Sequence, residues 1–201
     1  MKPEKLTVGV IGVQGDVSEH IAAISHLRSP DNGAIDAVSI RRTGIIPNCN
    51  FLIIPGGEST TISRLINRTG LAKEIILHTQ LGKPLLATCA GLIVASKSAN
   101  DKRVDTLGIL DITVNRNAFG RQIDSFESHL PIKGMNTPFP AIFIRAPAIE
   151  TTSKNVEILA KHKGHPVAVR QDNIVGTSFH PELTFDTRLH NLAFFGDPIT
   201  I

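Results

Sequence analysis

Apolar residues in this chain follow two rhythms. In the first half, short β-branched runs alternate with stretches of helical spacing. Residues 7–13 form such a run and end at Gln14-Gly15-Asp16, after which Val17, Ile21, Ile24 and Leu27 recur as one helix face would. A strand, a tight turn and a helix over 17–27 are predicted. Residues 34–40 and Phe51–Ile54 predict two more strands, separated by lengths typical of crossover connections. Pro55-Gly56-Gly57-Glu58-Ser59-Thr60-Thr61 follows the third strand and leads into a helical stretch at 62–66. Another short apolar run begins at Pro84, reaches Cys89 and passes into the helix-forming Leu92-Ile93-Val94-Ala95.

The second half reads differently. Residues 112–114, 125–132 and 141–145 are short extended runs, with 136–140 as an ordered loop between two of them. Residues 156–160, 166–170 and 174–179 are parted by Lys163-Gly164 and Asp172-Asn173, both hairpin signals. A β-meander is expected there, closed by a helix over 186–195 with Leu189, Leu192 and Phe195 near one face. Together the pattern predicts an α/β fold: an open, mostly parallel sheet flanked by helices, with an antiparallel β-meander in the C-terminal half.

Composition narrows the class. The 201 residues, 41% hydrophobic, suit a single domain over 1–201. A formal charge of +3, with Lys and Arg scattered, leaves no nucleic-acid footprint. The apolar run at 6–13 is too short to span a membrane and lacks a signal-peptide cleavage pattern. Two cysteines without framework spacing suggest a reducing, cytoplasmic setting.

Candidate chemistry centres on Thr88-Cys89-Ala90-Gly91. A cysteine between strand and helix, with small Ala87 and Gly91 two residues to either side, has the pattern of a nucleophile elbow, where bulky neighbours would clash with the crossing chain. The following helix would favour its thiolate. The alternative is a small buried core cysteine. Gly56-Gly57 lies at the carboxyl end of a strand, where open α/β sheets bind ligands; alternatively it is a plain turn with Ser59 or Thr60 as helix N-cap. In His180-Pro181-Glu182, proline biases His180 toward the extended region, which turns His180 and Glu182 to one side. A carboxylate beside an imidazole supports a general base, so cysteine, histidine and acid make a possible triad.

The other histidines carry less. His162 and His165 flank a turn and read as solvated; no cysteine or carboxylate has ligand spacing with them, so no metal is expected. His20, His26, His78, His129 and His190 show no partner pattern, and Cys49 reads as structural. Arg116, Arg121 and Arg145 are either surface charges or partners for a carboxylate ligand.

These residues resemble the class I, triad-type glutamine amidotransferases. Pro55-Gly-Gly-Glu-Ser-Thr-Thr61, Thr88-Cys-Ala-Gly91, the run over 116–127, Phe143-Ile-Arg-Ala-Pro147 and Phe179-His-Pro-Glu-Leu183 are similar, within that class, to the glutaminase subunits of pyridoxal 5′-phosphate synthase. The resemblance implies Cys89 as nucleophile, His180 as acid and base, and Glu182 as its orienter. It implies an oxyanion hole from the backbone N–H groups of Gly57 and Ala90, and L-glutamine held by Gly57, Glu58, Ser59, Arg116, Ile144 and Arg145. It implies no cofactor, and a separate synthase subunit in a ring-based hetero-oligomer, without which the glutaminase is nearly idle. A glutaminase of histidine or purine synthesis is the nearest alternative. A cysteine hydrolase or chaperone-like relative would carry histidine after the cysteine, where this chain has Ala90.

Overall fold

The computed structural model describes residues 6–30, 33–116 and 125–196. Arg121, most of the 116–127 run and the tail beyond Gly196 lie outside the described residues.

In chain order the elements are β1 (Leu6–Ile11), α1 (Val17–Ser25), β2 (Ile35–Ile40), β3 (Phe51–Ile54), α2 (Ser59–Thr69), α3 (Leu71–Gln80), β4 (Leu85–Thr88), α4 (Ala90–Ala95), β5 (Ser96–Ser98) and β6 (Leu110–Asn115). They continue with β7 (Ser125–Leu130), β8 (Phe139–Ile144), β9 (Ala148–Thr152), β10 (Glu157–His162), β11 (His165–Gln171), β12 (Ile174–Thr177) and α5 (Arg188–Phe195). One seven-stranded sheet has the order β10-β11-β12-β4-β3-β1-β2. The strands from β12 to β2 in that order are mutually parallel, and β10 to β12 are consecutive antiparallel hairpins.

The expected meander is therefore present in β10–β12, turning at Lys163-Gly164 and Asp172-Asn173, with positive φ at Lys163, Gly164 and Asp172. It completes the main sheet, because β12 lies parallel to β4. The earlier runs pair elsewhere: β6 sits between β5 and β9, and β7 pairs with β8.

Successive strand residues face opposite sides of the sheet, so each apolar run feeds two cores. Leu52, Ile54, Leu85 and Ala87 join one cluster with Ile62, Ile66, Leu71, Ile75 and Leu92 of α2, α3 and α4. Phe51, Ile53 and Leu86 join the other with Ile24 of α1 and Leu189 and Leu192 of α5. Leu92 to Ser96, behind the elbow, are all buried. Cys49 is likewise buried, as a structural residue would be. This layering brings the carboxyl ends of β1, β3, β4 and β12 side by side, where an open parallel sheet presents its ligand site.

Candidate active site

Each of those strand ends delivers one part of a site. Cys89 follows β4 directly, with φ 47° and ψ −104°, a conformation uncommon for a residue with a side chain. Its N–H donates to the Thr177 carbonyl at 2.8 Å, which fixes the elbow to β12. The requirement for small neighbours is visible at Gly91, where an added Cβ would stand 2.0 Å from the Ile54 carbonyl oxygen. The helix after the elbow, α4, has six residues and includes the helix-forming stretch at Leu92 to Ala95.

His180 comes from the segment after β12. Its Nδ1 lies 2.7 Å from Glu182 Oε1 and 3.3 Å from Asp16 Oδ2. The pair forms for a different reason from that expected. Pro181–Leu183 is a short 3-10 turn rather than extended chain, and it folds the Glu182 carboxylate back beneath the ring. Cys89 meets the His180 imidazole, and its Sγ also lies 3.8 Å from the Ile144 carbonyl oxygen. Burial alone would pull the His180 pKa down. Hydrogen bonds with Asp16, Cys89 and Glu182 outweigh it and push the pKa up to about 12, so the ring is charged at neutral pH. Burial would raise the Glu182 carboxyl, but the imidazoles of His20 and His180 more than offset this and hold it below its usual range.

The end of β3 supplies Gly56 and Gly57. A Cβ on Gly56 would meet Asp16 Oδ2 and His180 Cε1, each at 2.5 Å, so only glycine admits the imidazole this close. Gly57 has φ +143° and faces Gln14, whose Oε1 accepts from the Glu58 N–H at 2.8 Å. The loop after β1 thus braces the Gly-Gly segment: the Asp16 N–H donates to the Gly56 carbonyl at 3.2 Å. The helix cap here is Glu58, not Ser59 or Thr60. Its carboxylate accepts from the Thr61 N–H and the Thr60 hydroxyl, and the Glu58 pKa falls to about 2. Ser59 begins α2, and its buried Oγ has no hydrogen-bond partner among the described residues.

A cleft of about 600 Å³ runs over these groups and is lined by Asp16, Gly57, Glu58, Ser59, Cys89, Ala90, Ile93, Arg116, Ser125, Ile144, Arg145, His180 and Leu183. Every site residue expected from the sequence is here except Glu182, which is buried behind His180. Arg116 reaches two carboxylates, Glu58 Oε1 at 2.9 Å and Asp101 Oδ2 at 2.6 Å. Arg145 is held at φ 43° at the end of β8, a strained backbone position at the cleft wall.

Sequence reasoning missed Asp16 and His20, which stand beside the candidate triad, and Gln14, which braces Gly57 and Glu58. Of these, His20 showed no partner pattern in the sequence, yet it lies 3.5 Å from Glu182 Oε2. His162 also departs from its reading. It is not a solvated turn residue but packs against Phe126 and Phe143, with ring centroids 5.1 and 5.5 Å away. Among the described residues one group has metal-ligating spacing, Asp16, His180 and Glu182. A cation there would claim Nδ1 of His180, the atom that Glu182 holds.

Buried histidines give a pH signature. Desolvation pulls His78 down to about 4 and His190 down to about 3, so both are neutral in the fold. The unfolded chain takes up their protons near pH 6.5. Their stabilising contribution is complete above that value and is lost as pH falls toward 4. His180, with its raised pKa, contributes nothing further to the change below pH 6.5. Lowering the pH from 6.5 to 5.5 should cost about 2 kcal/mol and lower Tm by about 6 °C, measured by thermal unfolding.

With this geometry in place, similarity to known proteins is specific. The model of the SNO glutamine amidotransferase family matches residues 10–196. The chain belongs to that family. It is 57% identical over 190 residues to the pyridoxal 5′-phosphate synthase subunit PdxT of Halobacterium salinarum, covering 94% of each chain. It is 58% identical to that of Natronomonas pharaonis, covering 94% of this chain and 99% of the relative. A crystal structure of a glutamine amidotransferase, 40% identical, aligns with a TM-score of 0.86 over 92% of this chain and 96% of that one. The structure of PurLQS from Thermotoga maritima, 14% identical with a TM-score of 0.59, shares the fold. Among the described residues no helix is long and apolar enough to cross a membrane.

Proposed function

We propose that this chain is the glutaminase subunit of a pyridoxal 5′-phosphate synthase: it hydrolyses L-glutamine to glutamate and passes the ammonia to a separate synthase chain in a ring-based complex. One observation carries the chemistry. Cys89 and the Glu182-held imidazole of His180 meet at one end of a cleft that also holds Gly57, Ser59 and Arg116. The partner is supported by the family, since the relatives named above are synthase subunits. Both cysteines are free thiols, which suits a reducing cytoplasm.

The Cys89 sulfur, beside the charged His180, attacks the side-chain amide carbon of glutamine as its thiolate. The displaced electron pair moves onto the amide oxygen, which the N–H groups of Gly57 and Ala90 receive; one such donor is commonly worth about 3 kcal/mol. Collapse of this intermediate expels the amide nitrogen, His180 protonates it, and ammonia and a glutamyl thioester result. The now neutral His180 takes a proton from water, the hydroxide attacks the thioester, and glutamate departs with the thiolate restored. Glu182, on Nδ1, keeps Nε2 directed at the reaction throughout.

Arg116 offers the glutamine carboxylate a charge-assisted contact in a site already shared with Glu58 and Asp101. Ser59 Oγ supplies a hydroxyl without a partner among the described residues, and Glu58, Ile144 and Arg145 complete the grip. Mixing the chain with its synthase, pentose phosphate, triose phosphate and glutamine should yield glutamate and pyridoxal 5′-phosphate together. The glutaminase rate should rise about tenfold or more over the isolated chain; equal rates with and without synthase would count against a dedicated partner.

A further inference from the structure

Behind the triad stands a second imidazole that the mechanism above does not use. His20, on α1, is fully buried. Its Nε2 lies 3.5 Å from Glu182 Oε2 and 3.2 Å from Thr88 Oγ1. Each of these two groups adjoins one member of the reacting pair. Glu182 Oε1 holds His180 Nδ1 at 2.7 Å, while Thr88 immediately precedes Cys89 on β4.

Glu182 needs something on its far oxygen. Its side chain is fully buried, and among the described residues Oε2 makes no hydrogen bond, with His20 Nε2 standing 3.5 Å away. A buried carboxylate held at one oxygen only is costly and free to swing about that single bond. Burial keeps the His20 ring neutral, against the pull of Glu182 and Asp16, so it carries one ring proton. With that proton on Nε2, a donor stands within reach of both Thr88 Oγ1, its hydrogen-bond partner at 3.2 Å, and Oε2 at 3.5 Å. With it on Nδ1, Nε2 and Oε2 would be two acceptors 3.5 Å apart, and the N–H at Nδ1 would be buried without a partner. The first tautomer is the one the surroundings support. His190 closes the other side of the ring edge-on, with centroids 5.9 Å apart, which leaves His20 little room to rotate.

We propose that His20 is a positioning residue for glutamine hydrolysis: its Nε2–H, within reach of both Thr88 Oγ1 and Oε2 of Glu182, restrains that carboxylate so that Oε1 stays on Nδ1 of His180 and the triad is backed by a fourth side chain. No proton passes through His20. Its effect is on the orientation of the base, as outer hydrogen bonds orient inner ligands in metal sites. The proposal rests on the glutaminase reading given above.

The test uses the complete complex with the synthase chain and saturating glutamine. His20→Phe keeps a ring against His190 and removes the N–H; kcat should fall about tenfold with KM for glutamine within about twofold. His20→Gln, whose amide can return an N–H toward Oε2, should recover kcat to within about threefold of the parent. Stability should run the other way, with the apolar Phe variant at least as stable as the Gln variant in this buried seat. Combined with Glu182→Gln, His20→Phe should cause no further loss, because its target is gone. If His20→Phe does not fold, His20→Leu takes its place. Unchanged kcat in a folded apolar variant, or rates that follow Tm across the variants, would overturn the proposal. A parent complex that releases no glutamate, or a Cys89→Ala complex as active as the parent, would instead remove the glutaminase reading beneath it.

Discussion

Cys89→Ala should abolish glutamine hydrolysis, lowering kcat/KM by about 10⁴-fold or more while the protein stays folded. The sulfur is the atom that would carry the glutamyl group, and no other described cysteine lines the cleft. Replacement by Ala takes one atom from a residue at the cleft wall, and the Cys89 N–H to Thr177 bond that fixes the elbow belongs to the backbone and survives. Ammonia release by the Cys89→Ala chain, measured with its synthase present, is the deciding assay. Residual release at the parent rate would place the chemistry elsewhere. Pyridoxal 5′-phosphate should still form if ammonium salt is supplied in place of glutamine, since only the nitrogen source is lost.

Gly91→Ala should be severely damaging for the addition of a single methyl. The added Cβ would stand 2.0 Å from the Ile54 carbonyl oxygen and 2.7 Å from its carbon. That carbonyl ends β3 in the middle of the main sheet, between β1 and β4, and cannot withdraw as a flexible side chain would. The strain should cost about 3–4 kcal/mol, a fall in Tm of about 10 °C. Activity should fall more than stability alone explains, because α4 can retreat only by carrying Cys89 and the Ala90 N–H away from His180. Thermal unfolding, with glutaminase assays at a temperature where the variant remains folded, separates the two effects. A variant with parent Tm and parent rate would show that the elbow is not pressed against β3.

The charge on His180 has a stability aspect as well. His180 gains its high pKa from Asp16, Cys89 and Glu182 together, so its contribution to folding is complete below pH 6.5 and shrinks as pH rises toward about 12. The buried neutral histidines act in the opposite direction on the acid side. The fold is therefore favoured between these two limits.

Much of this was legible in the chain because the signals are local. β-branched runs, alternating burial and hairpin pairs such as Lys163-Gly164 depend on a few adjacent residues, and they placed the parallel strands and the meander. Cys89 among small neighbours and His180 two residues from Glu182 are local too, so the triad could be named before its parts were seen together. Local reading erred where a backbone choice turned on tertiary contact. Pro181–Leu183 coils into a 3-10 turn, and α2 is capped by Glu58, which also reaches Arg116 across 58 positions of sequence.

By itself, then, the sequence determined the layered α/β plan and singled out Cys89, His180 and Glu182 as the candidate nucleophile, base and acid. The tertiary structure alone decided which side chains stand around them. Strand order sets β1 beside β3 and β4 beside β12, and only that arrangement brings Gln14 and Asp16 to the Gly-Gly segment and His20 to Thr88, 68 residues away. No spacing along the chain encodes such neighbours, because they are fixed by the packing of α1 on the sheet and not by the conformational preferences of adjacent residues.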